Sequence, residues 1–103
     1  MDPSPDATGA GPLRRKVTIT NPHGFHLRPM QAFVELASQF PGAVRVWRDE
    51  QEPVDGRSML GLMLLAAEQG MDLVVETEGP QAAAALDALT DLLTNLQTRV
   101  PVE

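Results

Sequence analysis

Asn21-Pro22-His23-Gly24-Phe25-His26-Leu27-Arg28-Pro29 is the stretch whose reading decides the fold of this 103-residue chain. Just before it, Lys16-Val17-Thr18-Ile19-Thr20 alternates as a strand does, with Val17 and Ile19 on one face. Just after it, Met30, Phe33, Val34 and Ala37 recur at helical spacing, with Leu36 and Phe40 widening the stripe, until Pro41-Gly42 ends it. A strand therefore stops, the chain turns at Pro22 and Gly24, and a helix starts. Pro29 suits the first helical turn, where its missing N–H would have had no intrahelical partner. His26 then stands immediately before the helix, with Leu27, Arg28 and Pro29 in its first turn. The free backbone N–H groups of Leu27 and Arg28, the positive end of the helix dipole and the Arg28 guanidinium would meet at one place, and together they suit a phosphate.

The chain downstream predicts what that corner is mounted on. Ala43 to Arg48 reads as a strand with Val44 and Val46 on one face and Arg45 and Trp47 on the other. Asp49 to Gly56 is polar, and Pro53 permits only an edge strand or a bulge around Val54. Ser58 can cap a short helix through Leu65, closed by Gln69-Gly70. Its Met59, Leu60, Leu62, Met63, Leu64 and Leu65 leave almost no polar face, so it is either fully buried or shows a partner an apolar patch. Met71 to Thr77 alternates as a strand with Met71, Leu73 and Val75 inward. Gly79-Pro80 opens a last helix with a stripe of Ala82, Ala85, Leu86, Leu89, Leu93 and Leu96. The order βαββαβα predicts an α+β fold, a four-stranded antiparallel sheet with three helices on one face. Residues 1–15 read as a disordered extension whose first part is rich in Pro, Gly, Ala and Asp, 16–97 as the domain, and 98–103 as a short tail.

Bulk properties narrow the function. A chain of this length with 43% hydrophobic residues suits one domain with one core. It has no cysteine, hence neither a disulfide framework nor a thiolate nucleophile, which fits a reducing compartment. The apolar run Met59 to Ala67 is too short to span a bilayer, and Asp2, Pro3 and Pro5 stand where an export signal would be basic and then apolar. A cytoplasmic protein without membrane insertion is expected. The net charge of −6 opposes nucleic-acid binding, and the one basic cluster, Arg14-Arg15-Lys16, reads as a solvated approach to the first strand.

An imidazole at such a corner is nucleophilic, since one ring nitrogen can attack a phosphoryl donor while the other is steadied by a hydrogen bond. His23, three residues before His26, invites a metal reading, but no third ligand lies nearby, so neither metal nor cofactor is expected and His23 reads as a rim residue.

Gly24-Phe25-His26-Leu27-Arg28-Pro29 resembles the Gly-apolar-His-x-Arg-Pro signature of the histidine-containing phosphocarrier (HPr) family. Ser58-Met59-Leu60-Gly61-Leu62-Met63 is similar to that family's regulatory-serine segment, and the resemblance runs from about Lys16 to Asn95. It implies an open-faced β-sandwich. It also implies a monomeric carrier, not a stand-alone enzyme, in which His26 accepts a phosphoryl group on Nδ1 from enzyme I, charged by phosphoenolpyruvate, and passes it to the A domain of a sugar-specific enzyme II. Arg28 and the Leu27 and Arg28 N–H groups would bind the phosphoryl group, Met59, Leu60 and Met63 would dock partners, and an HPr kinase/phosphorylase would act on Ser58 where the host has one. Leu27 and Phe25 depart from the smaller residue and the aliphatic that the family commonly carries at those places. A nitrogen-type or other regulatory paralogue, and a non-catalytic HPr-like binding module, stay open as alternatives; modules of the second kind typically replace the histidine that this chain keeps.

Overall fold

The computed structural model of the protein describes residues 11–95. The chain runs β1 (Leu13–Thr18), α1 (Leu27–Ala37), β2 (Val44–Trp47), β3 (Val54–Asp55), α2 (Met59–Leu65), β4 (Asp72–Thr77) and α3 (Ala82–Thr94). The four strands form one antiparallel sheet in the order β1-β4-β2-β3, and the three helices complete the α+β sandwich that the sequence predicts.

β4 is the spine. All six of its residues pair with β1, from Leu13 opposite Thr77 to Thr18 opposite Asp72, and its last four, Val74 to Thr77, also pair with β2. Inward-facing Val17, Val46, Leu73 and Val75 meet Phe33 of α1, Leu62 and Leu65 of α2, and Leu86, Leu89 and Leu93 of α3 in one core. β3 is the two-residue edge strand that Pro53 allows.

Two features of these elements differ from expectation. β1 begins at Leu13, inside the segment read as an extension: Arg14 and Arg15 are exposed as expected, yet they pair with Glu76 and Val75 of β4 and their side chains find partners. Arg15 donates to Thr90 Oγ1 at 2.9 Å and pairs with Asp87 of α3 at 2.9 Å, while Arg14 pairs with Glu76 of β4 at 2.7 Å. The expected extension up to residue 10, the tail 98–103 and Leu96 of the α3 stripe lie outside the described residues. The second difference is how α2 closes: it runs through Leu65 as expected, but its C-cap is Ala66, left-handed with φ 49°, and Gly70, with φ 91°, belongs instead to the turn into β4.

The outer face of the sheet carries a charge cluster that periodicity does not reveal. Glu76 is buried between Arg14 and Arg45, each at 2.7 Å, and the Arg14 guanidinium also lies 5.6 Å from the Trp47 ring centroid. Burial pushes the Glu76 carboxyl up, but the hydrogen bonds from Arg14 and Arg45 outweigh it and hold the group below its ordinary value of 4.5. A carboxylate with a lowered folded-state pKa stabilises the fold above its unfolded value, and that stability is lost as pH falls through the folded value. Glu76→Gln should therefore unfold more readily at neutral pH, by about 1 kcal/mol because both arginines are half-exposed. Urea titrations from pH 7 down to pH 3 should show the gap between wild type and variant closing as the medium turns acid. A constant gap would show that the charge is not what the cluster uses.

Candidate functional site

The corner between β1 and α1 is held by backbone on both sides. Ile19 is fully buried; its N–H donates to Met71 O at 2.8 Å and its carbonyl accepts from Gly70 N at 2.8 Å, so pairing with the β4 side continues past the end of β1. The turn then closes on itself, with Gly24 N donating to Asn21 O at 2.8 Å and the buried Asn21 side chain donating Nδ2 to Gly24 O at 3.1 Å. Gly24 has φ +69°, and a Cβ there would lie 2.7 Å from Ala67 O, so the position requires glycine on both counts. The next residue, Phe25, donates its N–H to that same Ala67 carbonyl at 3.0 Å, and its buried ring meets Phe33 edge-on at 5.8 Å. Phe25 is thus the anchor that fixes where the following histidine stands.

His26 is the N-cap of α1, in extended conformation, and its side chain makes no capping bond. Its carbonyl accepts the first helical bond, from Met30 N at 3.0 Å. Pro29 has no N–H to offer, and the backbone N–H groups of Leu27 and Arg28 find no acceptor among the described residues. The His26 ring is part-buried, with Nδ1 3.2 Å from Gly24 O. A carbonyl only accepts, so Nδ1 is the donor in this arrangement. Arg28 is exposed, and its side chain has no hydrogen-bond or ion-pair partner among the described residues. An unpaired helix start and a half-exposed imidazole therefore stand at one corner, with the exposed Arg28 two residues further along α1. His23 is exposed on the same turn, its ring centroid 5.8 Å from that of His26.

α2 resolves the question its composition leaves open. Leu62 and Leu65 are buried, while Leu60 (68% exposed), Leu64 (69%) and Met63 (50%) face solvent, and Leu27 beside His26 is 57% exposed. The helix is therefore a patch-bearing one. Met59 departs from the expected exposed docking set: it is half-buried against the core, because at three-residue spacing it shares a face with Leu62 and Leu65. Leu64 takes the outward position instead. Ser58 caps α2, accepting from Gly61 N at 2.9 Å.

Two positioning residues escape sequence reasoning. Asn21 locks the turn, as described, and Arg57 donates to the carbonyls of Ala37 (3.2 Å) and Phe40 (2.6 Å) at the end of α1, tying the approach to α2 onto the helix that begins at the site. Asn before Pro is a recognisable turn signal; Arg57 carries none, because its partners lie 17 and 20 residues away in the chain. Among the described residues no group of three or more His, Cys, Asp or Glu side chains is placed to hold a metal ion, and no helix is long and apolar enough to cross a membrane.

Residues 13–95 match the family profile described as the PTS HPr component phosphorylation site. The chain belongs to the HPr family. It is 42% identical over 80 residues to the phosphocarrier protein HPr of Pseudomonas aeruginosa, covering 78% of this chain and 89% of that one. Identity to the HPr of Neisseria meningitidis serogroup A is 41% over 81 residues, 79% of this chain and 90% of the relative. Among solved structures, an HPr from Bacillus anthracis superposes with TM-score 0.76 at 28% identity, covering 82% of this chain and 99% of the other. An HPr dimer from Thermoanaerobacter tengcongensis gives TM-score 0.62 at 29% identity, covering 84% and 94%. The open-faced sandwich expected from the HPr resemblance is thus the fold that this family's structures share with the chain.

Proposed function

We propose that the chain is a phosphoryl shuttle of the phosphoenolpyruvate-dependent sugar phosphotransferase system. His26 accepts a phosphoryl group from phosphorylated enzyme I and passes it to the A domain of a sugar-specific enzyme II. The observation that carries this reading is His26 at the unpaired start of α1, with Arg28 uncommitted two residues on. Phosphoryl transfer needs positioning and charge stabilisation more than acid–base work. The Leu27 and Arg28 N–H groups, the helix dipole and the guanidinium supply both. For attack through Nδ1, the ring first turns away from Gly24 O and its proton moves, by exchange with solvent, from Nδ1 to Nε2. Gly24 O is not orphaned by that movement, because Asn21 Nδ2 still donates to it.

The carrier works as a monomer in the cytoplasm under this reading, and Leu60 and Met63, joined by Leu64, receive its partners. Incubation with enzyme I and labelled phosphoenolpyruvate should give an acid-labile, base-stable label on the chain. Absence of label with a competent enzyme I would overturn the proposal.

Ser58 is the proposed target of an HPr kinase/phosphorylase. Added negative charge at the α2 N-cap suits the helix dipole but stands next to the exposed apolar face of that helix. Ser58→Asp should therefore keep its stability and accept phosphate from enzyme I several-fold more slowly. Ser58→Ala should accept it at the wild-type rate and lose about 1 kcal/mol of stability with the cap. Equal transfer rates in the wild type and the Asp variant would remove Ser58 from regulation.

A further inference from the structure

We propose that His23 is a second phosphoryl-contacting residue of this site, its imidazole donating an N–H to an oxygen of the phosphoryl group carried by His26. The inference rests on the phosphoryl-shuttle reading above and adds to it a residue that the motif does not contain.

The first observation is the ring pair. The His23 and His26 centroids are 5.8 Å apart with the rings inclined at 67°, an edge-to-face pair, so a phosphoryl group built onto His26 would have the His23 ring as its neighbour on the turn. His23 is exposed and hydrogen-bonds nothing among the described residues, which leaves its ring nitrogens uncommitted. The second observation is that the backbone beneath His23 is fixed. Asn21, Pro22, His23 and Gly24 form a turn closed by the 2.8 Å bond from Gly24 N to Asn21 O, and His23 has no left-handed φ. Asn at the first place, Pro at the second and Gly at the fourth are the residues a type I turn prefers. Asn21 is buried and Gly24 is pressed against Ala67, so the turn holds His23 beside His26 as part of the fold.

The transfer itself balances without His23. The N–P bond of the donor phosphohistidine breaks as a ring nitrogen of His26 forms its own N–P bond. The electron pair of the broken bond stays on the donor ring, which takes up a proton, and the proton on the other nitrogen of His26 is released. What changes at the site is charge, since a phosphoryl group brings about −1.5 to −2. The helix meets it with the Leu27 and Arg28 N–H groups and the Arg28 guanidinium; the turn has only His23 to offer.

The test compares His23→Phe, which keeps a ring without N–H, with His23→Gln, which restores a neutral donor. In single-turnover transfer from labelled enzyme I, His23→Phe should accept phosphate about 10-fold more slowly at saturating enzyme I, with unchanged half-saturation, as expected for loss of one donor. His23→Gln should recover most of that rate. In the wild-type protein, the His23 ring nitrogen signals in long-range proton–nitrogen spectra should move when His26 is phosphorylated. A wild-type rate in His23→Phe, or His23 signals that stay in place, overturns the inference while leaving the shuttle intact. A wild-type protein that takes no label overturns the shuttle and this inference with it.

Discussion

His26→Ala should take up no acid-labile phosphate from enzyme I and phosphoenolpyruvate, and it should still fold. The loss is complete because no other nucleophile stands at the start of α1: the chain has no cysteine, and His23 lies on the preceding turn. The fold survives because the His26 side chain caps nothing, its ring is only part-buried, and the one bond it makes is replaceable. Gly24 O, the acceptor of that bond, keeps Asn21 Nδ2 at 3.1 Å. One lost hydrogen bond is worth about 0.5–1.5 kcal/mol, which in a domain of this size lowers the melting temperature by no more than about 12 °C. Labelling followed by digestion and base-stable peptide mapping, alongside a thermal melt, checks both halves. Label that persists in the variant, or that maps to His23 in the wild type, would remove His26 from its role.

Much of this site was legible because its determinants are local. The N–H groups that α1 leaves free, the proline tolerated in its first turn and the Gly24 bend all follow from residues within a few places of His26, and the strand and helix on either side announce themselves by period. What stayed hidden depends on partners far along the chain. β1 starts three residues earlier than its alternation suggests because Glu76, Asp87 and Thr90 wait for Arg14 and Arg15 more than 60 residues later. The α2 question had the same character. A run of six large apolar residues in seven has no period to read, and only the position of the core shows that Met59, Leu62 and Leu65 turn inward while Leu60, Met63 and Leu64 do not. The family signature marks the chemistry and says little about the turn that presents it, where Asn21 and Ala67 set the angle at which His26 leaves the sheet.

Arg28→Ala should slow phosphoryl transfer to His26 by about 10- to 1000-fold, the effect of removing one preorganised charge from a site of developing negative charge. The same substitution should leave the domain as stable as before or slightly more so. Arg28 occupies the first turn of α1, where a cation opposes the positive end of the helix dipole, and no acidic residue in that turn compensates it. Its side chain is exposed and unpartnered among the described residues, so no contact is lost with it. Alanine is also the better helix former by a few tenths of a kcal/mol, and relief of the dipole adds about 0.3–1 kcal/mol more. If Arg28 serves the phosphoryl group at a small cost to its own helix, the predicted split, slower transfer with a higher melting temperature, is the sign of that. Arg28→Lys separates charge from shape: the lysine keeps the point charge and lacks the planar fork, so its rate should fall between those of wild type and alanine. A loss of stability in Arg28→Ala would point to a structural partner for the guanidinium. An unchanged rate would show that the helix start and His26 perform the transfer without it.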